Sequence, residues 1–218
     1  MSIITPQVLL KAYSVGVFPM AESADDPSLY WIEPDERGVL PLNEFHISRS
    51  LKKSVRHAGF EIRVDSAFEQ VITRCAEKTG ERKETWINAR ILRLYSQLHK
   101  MGCCHSVETW RNGELVGGLY GVRLGAAFFG ESMFARDTDA SKVALVHLVA
   151  RLNFGGFKLL DAQFVNDHLK QFGCYKVPKK EYRPILDAAT EADADFFAFE
   201  DDKNVEQILR LACFHSSP

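Results

Sequence analysis

Asp161 and Gln163 stand two residues apart at the end of an apolar run, KLLDAQF, residues 158–164. In a strand, positions i and i+2 face the same way, so a carboxylate and a carboxamide would project side by side. A carboxylate can accept the amide NH2 and leave the amide oxygen free to accept elsewhere; a strand end with a capping pair is the plainer alternative. Glu131 lies in AAFFGESMF, an acid among aromatic and apolar residues. Burying an acid is costly unless it is paired, so Glu131 is either a satisfied structural group or a receptor for a cation. Arg49, Lys52, Lys53 and Arg56 recur at i, i+3, i+4 and i+7, which is one face of a helix. The four cations repel one another and ask for a counter-charge that a phosphate backbone would supply; a solvated helix face is the alternative. Trp31 and Trp86 fall in loop-like settings, where an exposed indole stacks on a base and a buried one fills a core.

Other chemistries find less support. Gly117, Gly118 and Gly121 in VGGLYG sit inside a strand-like segment, not between a strand and a helix, so they do not read as a phosphate cradle. The five cysteines include no C-x-x-C pair and read as free thiols of a reducing compartment. The seven histidines show no zinc spacing, and no metal or other cofactor is expected.

These residues need elements to position them. Residues 6–15 read as a short helix with Pro6 in the first turn and Gly16 as its stop. A loop-rich stretch with Pro19, Pro27, Pro34 and Pro41 follows, as a small irregular unit. Residues 46–57 look helical and 60–64 alternate like a strand. Ser66 to Glu69 forms a capping box before a second amphipathic helix, and 88–101 gives a third, stopped by Gly102. Asn112-Gly113 between two strand-like runs is a strong hairpin signal. Then come AAFFGESMF, a long apolar helix over 140–154, the strand KLLDAQF, and a helical turn in NDHLKQF. Six acids over 191–202, the last two Asp201 and Asp202, read as a solvated segment. The order describes an α+β layer arrangement.

The chain has 218 residues, of which 46% are apolar and 26% charged, with a net charge of -2. That suits a soluble globular protein and leaves any nucleic-acid site to a local patch. No apolar run is long enough to span a membrane, and the first twenty residues lack the marks of a signal peptide, which points to the cytoplasm.

Taken together, WIEPDERGVLPL, HISRSLKK, TWI, LHKMGCCHSVETW, LVGGLYG, FFGESMF, ASKVAL and LLDAQFVNDHL occur in order from residue 31 to 169. This closely resembles the leucyl/phenylalanyl-tRNA–protein transferase family over about nine-tenths of the chain. The resemblance implies a small N-terminal domain, residues 1–58, carrying the basic helix, and a catalytic domain, 59–218, similar to the GCN5-related N-acyltransferases. It also implies that Leu or Phe, and less well Met, passes from Leu-tRNA or Phe-tRNA to proteins that begin with Lys or Arg. Such proteins are thereby marked for degradation. The donor ester carries the driving force, so neither ATP nor a metal is called for.

On matching residues, Gln163 would receive the hydrogen bond of the attacking amine and Asp161 would orient it. Glu131 would bind the basic N-terminal residue, and Trp31 and Trp86 would lie along the tRNA 3′ end. Arg49, Lys52, Lys53 and Arg56 would hold phosphates. An apolar pocket near Leu119, Phe128, Leu148 and Leu160 would take the Leu or Phe side chain, excluding charge strongly and sorting apolar residues weakly. The chain begins almost at ITPQVLL, without the family's common N-terminal extension. Gln171-Phe172-Gly173-Cys174 replaces the usual S-L-G-A, and Cys104 stands where Ala is common. A coenzyme A-dependent acyltransferase would need R/Q-x-x-G-x-G/A at the start of its long helix, where this chain has Asp139-Ala140-Ser141-Lys142. A non-catalytic tRNA-binding module leaves Glu131, Asp161 and Gln163 unexplained. A transferase for acidic N-termini is opposed by the charge of Glu131.

Overall fold

The computed structural model describes residues 4–78, 84–200 and 204–213. Helix α1 (Pro6–Ser14) opens with Pro6 behind a Thr5 cap and ends before Gly16, whose φ of 75° is left-handed. The proline-rich stretch is more ordered than a loop. It forms a two-stranded antiparallel sheet, β1 (Phe18–Met20) with β2 (Tyr30–Ile32), and then β3 (Glu36–Leu40). Pro19 lies within one strand of that two-stranded ribbon, and Pro34 and Pro41 flank β3, positions that proline tolerates.

Strand β3 joins β4 (Glu61–Val64), β5 (Cys104–Arg111), β6 (Glu114–Leu124), β7 (Ala127–Ala135), β8 (Leu159–Gln163) and β9 (Tyr175–Pro178) in one sheet. Its order is β4-β5-β6-β7-β8-β3-β9. Every neighbouring pair is antiparallel except β7 with β8. The sheet therefore draws residues from both sides of position 58 into one layer. The β5–β6 hairpin turns on Asn112 and Gly113, both at positive φ (51° and 79°), as a type I′ turn requires.

Helices cover both faces. On one side lie α1, α3 (Phe68–Ala76), α4 (Ala89–Lys100) and α7 (Lys179–Glu191). On the other lie α2 (Arg49–His57), α5 (Ala140–Phe154) and α8 (Val205–Ala212). The period of two divides the core: Val39, Tyr120, Phe129 and Leu159 face the first layer, and their neighbours Leu40, Leu119, Phe128 and Leu160 face the second. A short helix, α6 (Asp167–Lys170), is capped by Asn166. Gly117 is glycine because α5 lies against β6 there: a Cβ would come within 2.5 Å of the Ala140 methyl.

Three expectations need correction. Helix α2 starts at Arg49, since Ser48 caps it by accepting the Leu51 N–H at 3.2 Å; His46 and Ile47 precede it. The capping box at Ser66 does not form: α3 starts at Phe68, and Ser66 donates instead to Glu108. The acidic segment does expose Glu191, Asp193, Asp195 and Glu200, but Phe196 and Phe199 within it are buried. Their carbonyls accept from Arg151 of α5 at 2.9 and 2.8 Å, so the segment is fastened to the core. Asp201 and Asp202 lie outside the described residues. All five cysteines are free thiols.

Candidate active site

The pairing of β7 with β8 runs only from Ala127↔Leu159 to Phe129↔Asp161. Strand β7 continues to Ala135 on its other partner, β6. Where the parallel strands part, a cavity of about 510 Å³ opens, walled by Leu40, Leu119, Leu145, Leu148 and Leu160. A smaller recess of about 190 Å³, lined by Phe18, Met20, Trp86 and Phe164, meets it. Glu131 and Gln163 line both hollows and so stand at their junction.

A bulge aims Glu131. The β6–β7 register passes from Gly121↔Gly130 to Tyr120↔Ser132, which leaves Glu131 as the extra residue. Phe129 and Phe134 consequently face the same core although they are five positions apart, an offset that would put them on opposite faces of a regular strand. Bulges re-aim a side chain in this way. Glu131 Oε1 accepts from the Tyr13 hydroxyl at 2.6 Å and from Gln163 Nε2 at 3.2 Å. Its Oε2 accepts from the Tyr95 hydroxyl at 3.1 Å, and the two phenol oxygens are 2.5 Å apart. Burial pushes the Glu131 carboxyl up to about 7, against the downward pull of the two phenols. Burial and the Glu131 charge hold both phenols well above their usual range, so they remain donors. The carboxylate thus keeps lone pairs for a cation and titrates near neutrality.

Asp161 is fully buried, and both its oxygens take the Arg37 Nε–H at 2.9 Å. It also accepts from the Tyr182 hydroxyl and, at 2.7 Å, from the backbone N–H of Gln163. This corrects the expected contact. Asp161 holds the Gln163 main chain, while the side-chain NH2 goes to Glu131, and the amide oxygen accepts from none of the described residues. Gln163 is itself buried, at a left-handed φ of 58° that ends the strand.

The remaining expected residues divide. Leu119, Leu148 and Leu160 line the large cavity. Phe128 does not: it precedes the parting of the strands and is fully buried, its ring stacked on Phe196 with centroids 5.6 Å apart. Trp86 lines the recess, whereas Trp31 sits on β2 opposite Pro19, 40% exposed and lining neither hollow. Arg56 already has a counter-charge, Glu206, at 2.6 and 3.0 Å. Arg49, Lys52 and Lys53 make no ion pair among the described residues. Ser54 ties their helix to Asp139, next to α5, the helix that supplies Leu145 and Leu148 to the cavity. Tyr13, Tyr95, Arg37 and Tyr182 escape sequence reasoning. The two tyrosines Tyr13 and Tyr95 sit in apolar helix stripes and look like core, and Arg37 hides among prolines. No group of three or more His, Cys, Asp or Glu is placed to hold a metal among the described residues. Among them too, no helix is long and apolar enough to cross a membrane.

The model of the leucyl/phenylalanyl-tRNA protein transferase family matches residues 39–187, and that of its N-terminal domain matches 3–35. This chain belongs to that family. A leucyl/phenylalanyl-tRNA–protein transferase of Nitrobacter winogradskyi is 59% identical over 202 residues, 93% of this chain and 90% of the relative. One from Rhodopseudomonas palustris is 58% identical over 209 residues, 96% of this chain and 93% of the relative. As a member of the family the chain is an enzyme, a transferase. The first match runs from Val39 within β3 through β9 and takes in the cavity and Glu131, Asp161 and Gln163.

Proposed function

We propose that this transferase moves leucine or phenylalanine, and less well methionine, from aminoacyl-tRNA to proteins that begin with Lys or Arg, marking them for degradation in the cytoplasm. The observation that carries the reading is the pairing of a half-supplied carboxylate, Glu131, with the Gln163 amide where an apolar cavity meets an aromatic recess. The cavity is large enough for a Leu or Phe side chain and its ester. Trp86 faces the tRNA 3′ end from the recess, and Trp31 lies further out along the same end. Arg49, Lys52 and Lys53 take phosphates, with Arg56 contributing less because Glu206 competes for it. The parting of a parallel strand pair at the site supports the expected likeness to the GCN5-related N-acyltransferases.

In the reaction the acceptor's amine nitrogen attacks the ester carbonyl. A C–N bond forms, the C–O bond to the tRNA ribose breaks, and the ribose oxygen leaves with a proton. The free carbonyl oxygen of Gln163 accepts from the incoming neutral amine, and Glu131 attracts the positive charge of the acceptor's Lys or Arg side chain. An amide is a very poor base, so Gln163 positions and the proton leaves through substrate or water. The test is transfer of radiolabelled leucine from Leu-tRNA to peptides that begin with Arg, Lys, Asp or Ala. Arg and Lys peptides are expected to be labelled; labelling of the Asp peptide alone, or of none, overturns the reading.

A further inference from the structure

Gln163 holds a backbone conformation that a residue with a Cβ adopts at a cost of about 1–3 kcal/mol. The structure shows what maintains it. The Gln163 N–H is bound by Asp161 Oδ1, and Asp161 has no freedom of its own. Arg37 Nε–H meets both of its oxygens, and the Tyr182 hydroxyl meets Oδ2. Arg37 is fixed in turn: Nη1 donates to the Gly16 carbonyl at 2.7 Å, and the guanidinium carbon lies 4.6 Å from the Phe18 ring centroid and 5.0 Å from that of Tyr182. Opposite Gln163 in the register stands Gly38, where a Cβ would come 2.8 Å from the Phe164 carbonyl carbon, so the chain after Gln163 folds tightly over β3.

Arg37 and Tyr182 themselves line neither the cavity nor the recess. Among the described residues Arg37 leaves its buried Nη2 donor without a partner, a poor arrangement if stability alone were served. A buried ion pair is seldom better than apolar packing of the same shape. What the cluster does achieve is geometry. Every donor on Asp161 narrows where its Oδ1 stands, and Oδ1 sets the Gln163 backbone.

We propose that Arg37 and Tyr182 are positioning residues for acyl transfer. Acting through Asp161, they hold Gln163 in its left-handed turn and so place its amide against Glu131. The inference rests on the reading that Gln163 positions the acceptor amine. It extends the working part of the site to two residues that come from β3 and α7, on either side of β8 in sequence.

Tyr182→Phe keeps the ring beside Arg37 and removes only the hydroxyl; Arg37→Lys keeps the charge and removes the Nε contact and its fork. Each is compared with the parent for kcat and KM toward an Arg-starting peptide, and for Leu-tRNA binding. The same Tyr182→Phe change is then made in a Gln163→Ala background, with single-turnover detection of labelled product. The expected result is a fall in kcat of about tenfold for Tyr182→Phe, with KM and tRNA affinity within about twofold. In the Gln163→Ala background the same change should cost less than about twofold, because the group it positions is gone. An equal loss in both backgrounds, or a kcat for both single variants within about twofold of the parent, overturns the proposal. If Gln163→Ala itself transfers at the parent rate, the reading of Gln163 fails instead. Should Arg37→Lys fail to fold, Tyr182→Phe alone decides.

Discussion

Two acids on the same sheet show how different a buried carboxylate can be. Glu108 on β5 is fully buried and saturated: it accepts from the Ser66 hydroxyl, the Ala67 N–H at 2.8 Å, the Ser106 hydroxyl at 2.9 Å and Trp110 Nε1 at 3.0 Å. It takes over the capping of α3, a place where the helix dipole favours negative charge. Glu131 on β7, two strands further along, has two phenols and one amide, borders two hollows, and has its pKa pushed up to about 7 by burial. The first charge is fully answered by the protein. The second is left short, and that shortfall is what a cationic substrate can fill.

The comparison can be broken or sharpened by substitution. The largest effect belongs to the group that serves both order and chemistry: Asp161→Asn should lower single-turnover transfer by about 10²-fold while leaving tRNA affinity within about twofold. Near-parental transfer would remove Asp161 from the mechanism. Next, Glu108→Ala should destabilise the fold by about 3 kcal/mol, since it strands several buried donors, with little change in kcat/KM per folded molecule; urea titration and kinetics at low temperature check both.

Glu131→Gln should behave oppositely. Because the folded protein holds Glu131 protonated up to about 7, it binds more protons than the unfolded chain between pH 4.5 and 7, and stability falls as pH rises across that window. The parent should therefore lose up to about 3 kcal/mol relative to the variant between those limits, and nothing more above them. His147, whose pKa burial lowers to about 4, works against this in both proteins, adding stability as pH rises from 4 to 6.5, and cancels in the difference. The smallest effect is on salt dependence. Replacing Lys52 and Lys53 with Ala should reduce the log–log salt slope of tRNA binding by about 1.5, and Arg56→Ala by less than about 0.5 because Glu206 already shares that charge. Superimposable salt plots would leave α2 a merely solvated face.

Much of this was legible in the sequence, and the failures have physical causes. Period-two and helical patterns find β4 to β8 and α1 to α5, and the i, i+2 spacing brings Asp161 and Gln163 to one place. The bulge is not legible: nothing in GESMF says that β7 counts two residues against one of β6, yet this aims Glu131. Its phenol partners Tyr13 and Tyr95 come from 118 and 36 residues away, beyond local pattern. The Ser66 capping box fails because Glu108, also distant in sequence, is the stronger partner for the same helix end. The family resemblance puts Phe128 in the pocket lining, but only the point at which β7 and β8 separate decides which side chains meet the cavity.

The central claim is that Glu131 reads positive charge at the acceptor's N-terminus, and the ratio of kcat/KM for an Arg-starting over an Ala-starting peptide tests it most directly. Both peptides carry the same α-amine, so its titration cancels and the ratio reports charge recognition alone. For the parent the ratio should climb by about tenfold as pH rises from about 6 to 8 and Glu131 ionises through 7. For Glu131→Gln it should be small and flat across the same range. A ratio that is independent of pH in the parent, or that rises equally in the variant, would contradict the account and move recognition to another acid.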